Sequence, residues 1–125
     1  MAITLKSARE IELMRRAGEV VADVLERLSE LIEPGMSTAR LDEESLRITA
    51  EVGADPLFKG VRSPYAAKPF PGAICASINE QIVHGIPSKK VLLSQGDIIS
   101  IDFGVKLQGY CGDSAVTLPV DKISP

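Results

Sequence analysis

The hydrophobic period of this 125-residue chain changes once along its length, and that change restricts the folds open to it. Apolar residues recur at helical spacing through Ile11, Met14, Val21, Val24/Leu25, Leu28 and Leu31/Ile32. Ser7-Ala-Arg-Glu10 has the form of a capping box ahead of them, and Glu33-Pro-Gly35 stops the run, so one long amphipathic helix is expected there. Ser37 or Thr38 can cap a second helix through Leu41, Leu46, Ile48 and Val52, with Gly53 as its breaker. Beyond residue 73 the pattern becomes that of strands, at 73–78, 81–83, 97–105 and 110–120, separated by Asn79-Glu80, the Pro/Ser/Lys stretch at 87–90 and the turn at 106–109. Helices first and antiparallel strands second give an α+β fold, with two helices packed on one face of a sheet. The other face also needs a cover, and no residues are left in the chain to provide it.

Between these halves, residues 55–72 hold Pro56, Gly60, Pro64, Pro69, Pro71 and Gly72, which rule out a continuous helix or a central strand. An ordered loop of this length in a compact domain is often functional. At the far end, Ser124-Pro125 reads as an N-cap and first-turn pair, the start of another helix or a frayed terminus.

Composition narrows the function classes. The length suits a single domain over residues 1–125, which would bury roughly two thirds of its unfolded surface. No apolar run approaches the ~18 residues of a membrane span, and MAITLKSARE lacks a secretory h-region, so a cytoplasmic protein without membrane contact is expected. The 14 basic and 17 acidic residues are interspersed, which argues against the basic stripe of a nucleic-acid surface. Cys75 and Cys111 match neither a disulfide framework nor a zinc motif and read as small buried hydrophobes.

The stretch IDFGVKLQGYCGDS, residues 101–114, carries the chemistry. If its two strands pair so that Val105 faces Tyr110, Asp102 lies directly opposite Asp113 on one sheet face. Like charges so placed destabilise the pair unless one is protonated, both face water or a cation lies between them. Carboxylates are hard ligands suited to divalent ions. A three-residue loop with a bulge at Gly109 would instead put Ser114 opposite Asp102, and hydrated acids beside a turn remain the alternative to a metal site. His84, the sole histidine, follows an apolar segment and precedes Gly85. It is either a satisfied structural residue or an imidazole presented to a ligand.

Taken together, SINEQIVHGIP (77–87), GDIISID (96–102) and GYCGD (109–113) closely resemble type I methionine aminopeptidases, in order and in spacing. The resemblance covers the whole chain but only the first half of a family member. It implies one half of a pita-bread fold, an enzyme that removes N-terminal methionine from new polypeptides, and two divalent ions (Co, Mn, Fe or Zn) in a completed site. By motif, it implies that Asp102 and Asp113 are metal ligands, Asp113 bridging both ions, and that His84, Phe70 and Cys75 contact substrate. The family's remaining ligands, a histidine and two glutamates, and a further histidine, come from its second half and have no counterpart here. Ala67 stands where the family commonly has an aromatic in its methionine pocket. The resemblance therefore implies weak or absent activity for these residues alone and completion by a C-terminal half or a second copy. The other reading is a non-catalytic half-fold that self-associates or binds a partner.

Overall fold

The computed structural model describes residues 2–125. Helix α1 spans Ala8–Leu31 and α2 spans Thr38–Glu51; the strands are β1 (Asp55–Pro56), β2 (Ile74–Ile78), β3 (Ile98–Leu107) and β4 (Tyr110–Pro119). The Ser7 capping box forms in both directions, Glu10 N–H donating to Ser7 Oγ at 3.2 Å and Ser7 N–H to Glu10 Oε1 at 3.1 Å. Ser37 caps α2 through Arg40 N–H, and Gly53 at φ +69° ends it in the left-handed conformation that favours glycine.

All four strands join one antiparallel sheet centred on β3, with β1 and β2 on one side of it and β4 on the other. Helix α1 lies across β3 and β4, while α2 packs against α1, β1 and β2. The face beneath the helices is the core: Val21, Val24 and Leu28 of α1, Leu41 and Ile48 of α2, Ile74 of β2 and Ile99, Ile101, Phe103 and Val105 of β3. Alternation along the strands sends Cys75, Ser77, Ser100, Asp102, Gly104, Cys111, Asp113 and Thr117 to the opposite face, as strand geometry requires. The α+β arrangement of two helices on one face of an antiparallel sheet is the one the periodicity predicts.

Several local expectations are overturned. Residues 81–83 form no strand: Asn79 turns the chain at φ +53°, Gln81 N–H donates to the Ile78 carbonyl, and Ile82 and Val83 stay exposed. The long loop is interrupted at its start by β1, which pairs Asp55 with Lys106 and Pro56 with Val105. The apolar stripe of α1 reaches the core only from Ala17 onward, so Ile11 and Met14 are exposed. Cys111 is exposed as well, and only Cys75 is buried.

The hairpin register differs from both readings of the sequence. A two-residue turn at Gln108 (φ +51°) and Gly109 (φ +85°) pairs Leu107 with Tyr110, which places Asp102 opposite Ala115 and Asp113 opposite Gly104. Two successive positive φ angles give the twist that suits a right-handed hairpin. Relative to the Val105–Tyr110 pairing the register moves by two residues, which preserves the face on which each side chain lies.

Candidate metal centre

Asp102 and Asp113 therefore share the open face of the sheet as diagonal neighbours rather than as a directly opposed pair. Gly104 separates them: it has no side chain to place between the carboxylates, and it is the residue opposite Asp113. A Cβ on Gly104 would approach Phe58 Cε1 to 3.2 Å and Leu57 Cδ1 to 3.3 Å, so the residues that open the long loop pack over β3 at this point. Gly60 N–H donates to the Phe70 carbonyl and Phe70 N–H to the Val61 carbonyl, both at 2.8 Å, closing the loop at its base. The loop thereby becomes a wall.

Between that wall and the sheet lies a cleft of about 800 Å³, lined by Phe58, Val61, Phe70, Cys75, His84 and Ile86, with Ala67 on the loop side and Asp102 and Asp113 among its polar groups. An apolar cleft with a few convergent polar groups is the usual form of a small-ligand site. All five residues singled out from the sequence line it. Cys75 is the cross-strand partner of Asp102, and Phe70 is half-buried at the end of the loop. His84 is exposed to the cleft and has a left-handed backbone at φ +63°. Its side chain lines the cleft together with Asp102 and Asp113.

The electrostatics are those of two acids held close together. Burial pushes the Asp102 carboxyl above its ordinary range, and the charge of Asp113 and a hydrogen bond with it push the same way, while His84 pulls it back. Burial, followed by the charge of Asp102, pushes the Cys75 thiol up to about 11, against a hydrogen bond from the His84 backbone. A cation between the two aspartates would offset the repulsion that Asp113 exerts on Asp102. Their oxygens suit a divalent ion as part of its ligand shell. They do not complete one, since among the described residues no three His, Cys, Asp or Glu side chains gather around a common point.

Other residues of the site carry no motif a sequence reader would isolate. Asp42 of α2 accepts from Ala73 N–H at 2.7 Å and Ile74 N–H at 3.1 Å, fixing the start of β2. A polar residue beside Leu41 on a helix looks like a solvated position until the fold brings residue 73 to it. Ser77 and Gly85 meet beneath His84; the only signal in the sequence is the glycine that follows the histidine.

With this geometry in place, comparison with known proteins decides the family. The sequence profile of metallopeptidase family M24 matches residues 12–125. The chain belongs to family M24. Among curated M24 relatives, it is 45% identical over 125 residues to the methionine aminopeptidase of Aquifex aeolicus, all of this chain and 48% of that protein. It is 50% identical over 122 residues to methionine aminopeptidase 1 of Bacillus subtilis, 98% of this chain and 46% of that one. The methionine aminopeptidase structure from Thermotoga maritima superposes with a TM-score of 0.89 at 36% identity, covering 98% of this chain and 47% of its own. Aminopeptidase P of Escherichia coli, solved with the inhibitor Pro-Leu, gives 0.75 at 29% identity over 95% of this chain and 25% of its own. The chain spans about half the length of the curated relatives it matches, and its fold is one half of their pita-bread architecture.

Proposed function

We propose that these 125 residues supply one side of a dinuclear metal centre that removes the N-terminal methionine of polypeptides, with Asp102 and Asp113 as its ligands. The observation that carries this reading is the placement of both carboxylates on one sheet face, at the floor of an apolar cleft, with Asp102 held above its ordinary range by burial and by Asp113. The likeness to methionine aminopeptidases supplies the substrate class. Divalent ions bound there would act as Lewis acids on the scissile carbonyl.

The protein's own groups account for the rest of the site. Phe70 and Cys75 offer an apolar wall to a thioether side chain, and sulfur packs favourably against an aromatic ring edge. His84 offers a ring nitrogen to the substrate backbone as donor or proton carrier. Ala67 on the loop side leaves more room than an aromatic residue would, so selectivity for methionine over shorter or branched side chains should be loose. New polypeptides as substrate would fit a cytoplasmic protein.

Two carboxylates hold a divalent ion weakly, so the remaining donors must come from outside these residues, either from further polypeptide or from a second copy. These residues alone should release methionine from a short peptide at a negligible rate. Calorimetric titration of Mn²⁺ or Co²⁺ tests the reading, with the Asp102→Asn, Asp113→Asn double variant as control. Weak specific binding that disappears in the double variant is expected; equal heats for both proteins would remove the metal site.

A further inference from the structure

The segment from Asn79 to Ser88 carries His84 and is fixed at both ends. At one end Asn79 Oδ1 accepts from Ile98 N–H at 3.0 Å and Asn79 Nδ2 donates to Asp97 Oδ1 at 2.9 Å. At the other, Ser88 N–H donates to Thr38 Oγ1 at 2.8 Å. Eight residues lie between these anchors, and Ile82, Val83, His84 and Ile86 among them are exposed. A loop with this much exposed surface would wander unless its middle were held.

Its middle is held on β2. Gly85 is buried, its N–H donates to Ser77 Oγ at 3.0 Å, and its carbonyl accepts from Ala76 N–H at 2.9 Å. The approach is close enough to exclude a side chain, since a Cβ on Gly85 would fall 2.0 Å from the Ala76 carbonyl oxygen and 2.9 Å from Ser77 Cα. Directly before this contact His84 takes φ +63°, a conformation that non-glycine residues hold when their surroundings enforce it. Ser77 is only 3% exposed, so its hydroxyl faces no competing water.

We infer that Ser77 is a positioning residue for His84: its buried hydroxyl receives the Gly85 amide and, with the missing side chain at Gly85, locks the imidazole over the aspartate pair. The role is defined for the site proposed above and rests on that reading. Ser77 is not among the residues that line the cleft. Its hydroxyl acts through Gly85, one residue from the imidazole, while the strand carrying it fixes Cys75 opposite Asp102. One short strand therefore sets the relative placement of both the metal-binding and the substrate-binding sides of the cleft.

The sole histidine gives one Hε1 and one Hδ2 signal, which makes the inference accessible to NMR on the isotopically labelled chain. In the unaltered protein, His84 ring protons should show cross-relaxation to Cys75, which lines the same cleft, and the Gly85 amide should be protected from hydrogen exchange. Ser77→Ala should speed Gly85 exchange by about tenfold or more and abolish those contacts. Ser77→Thr, which keeps the hydroxyl, should restore both. Gly85→Ala, with the serine intact, should also displace the ring, by steric exclusion from Ala76. Co²⁺ titration into Ser77→Ala should match the unaltered chain within about twofold, because the aspartates sit on other strands.

Unchanged Gly85 exchange and ring contacts in Ser77→Ala would overturn the inference, as would failure of Ser77→Thr to restore them. So would loss of the β3 and β4 amide signals in Ser77→Ala, which would make Ser77 a general support of the sheet. Absence of Co²⁺ binding in the unaltered chain would instead overturn the metal-site reading, while the exchange and ring data would still decide whether Ser77 positions His84.

Discussion

Asp102 is asked to ionise where the fold resists it. An acid whose folded value lies above its unfolded one lowers stability at neutral pH, and the penalty fades as pH falls through the folded value. Asp102→Asn should therefore stabilise the metal-free chain at pH 7 by a few tenths of a kcal/mol, the size of a cross-strand pair effect. Thermal melts at pH 7 and at pH 4 should show that gain shrinking with acidity, and a loss of stability at pH 7 would contradict it. Cys75 offers a second test. With its thiol pushed up to about 11, only about a thousandth is thiolate at pH 8, and the residue is buried. Iodoacetamide should label the exposed Cys111 first and Cys75 at least about a hundredfold more slowly, with the Cys75 rate climbing as pH rises toward 11. Tryptic peptide mass spectrometry over time measures both. Asp102 was legible as a candidate in the sequence, since a carboxylate in an apolar strand asks for a reason, whereas Cys75 was marked only by the family resemblance. Their neighbours were not: nothing in the sequence pairs Cys75 with Asp102, because that contact joins strands more than twenty residues apart.

Elements meet most tightly where α1 crosses β4. A Cβ on Gly112 would lie 2.7 Å from Ala17 C and Gly18 N, all backbone, so no side-chain rotation could make room for it. Gly112→Ala should force α1 off the sheet and cost about 1–3 kcal/mol in urea denaturation, the usual penalty of overpacking. By contrast, a Cβ on Gly109 in the hairpin turn meets nothing within 4 Å, so Gly109→Ala should cost about 1 kcal/mol through its φ of +85° alone. Equal losses for the two variants would deny the close approach of the helix. Helices were the legible elements here, because the capping box at Ser7 and the apolar stripe state their limits locally. The hairpin register was less so, for a physical reason. A two-residue turn of this kind favours Asn or Asp ahead of glycine, and Gln108 does not announce it. What fixes the register is Leu107, which packs against the core under the helices while paired with Tyr110, and that packing is invisible before the sheet exists. Residues 81–83 misled in the opposite sense, since Ile82 and Val83 are apolar yet stay exposed on a segment that forms no strand.

For the molecule as a whole, the two faces of the sheet have different tasks. The helix face holds the core, whereas the open face carries Asp113, Ser100 and Thr117, the two hydroxyls hydrogen-bonded to each other at 2.8 Å. A ligand that binds only the folded chain must stabilise it by an amount set by its concentration relative to its dissociation constant. With two carboxylates as donors that constant should fall at about 10⁻⁴ to 10⁻³ M, the weak end of oxygen-ligand sites. At ten times that concentration Mn²⁺ should add about 1.4 kcal/mol, a rise of roughly 5 °C in the melting midpoint for a chain of this size. The double aspartate-to-asparagine variant should show no rise, and Asp102→Asn alone should lose most of it despite melting higher without metal. The source of the missing donors is decided by the same experiment repeated across protein concentrations. A half-site within one chain gives a metal-induced shift independent of protein concentration, which is the outcome expected from diagonal aspartates lying within a single hairpin. A site shared between two copies would couple the shift to dimer formation and make it grow with each tenfold increase in protein. That result would move the completed centre onto a two-fold axis and assign the open face to self-association.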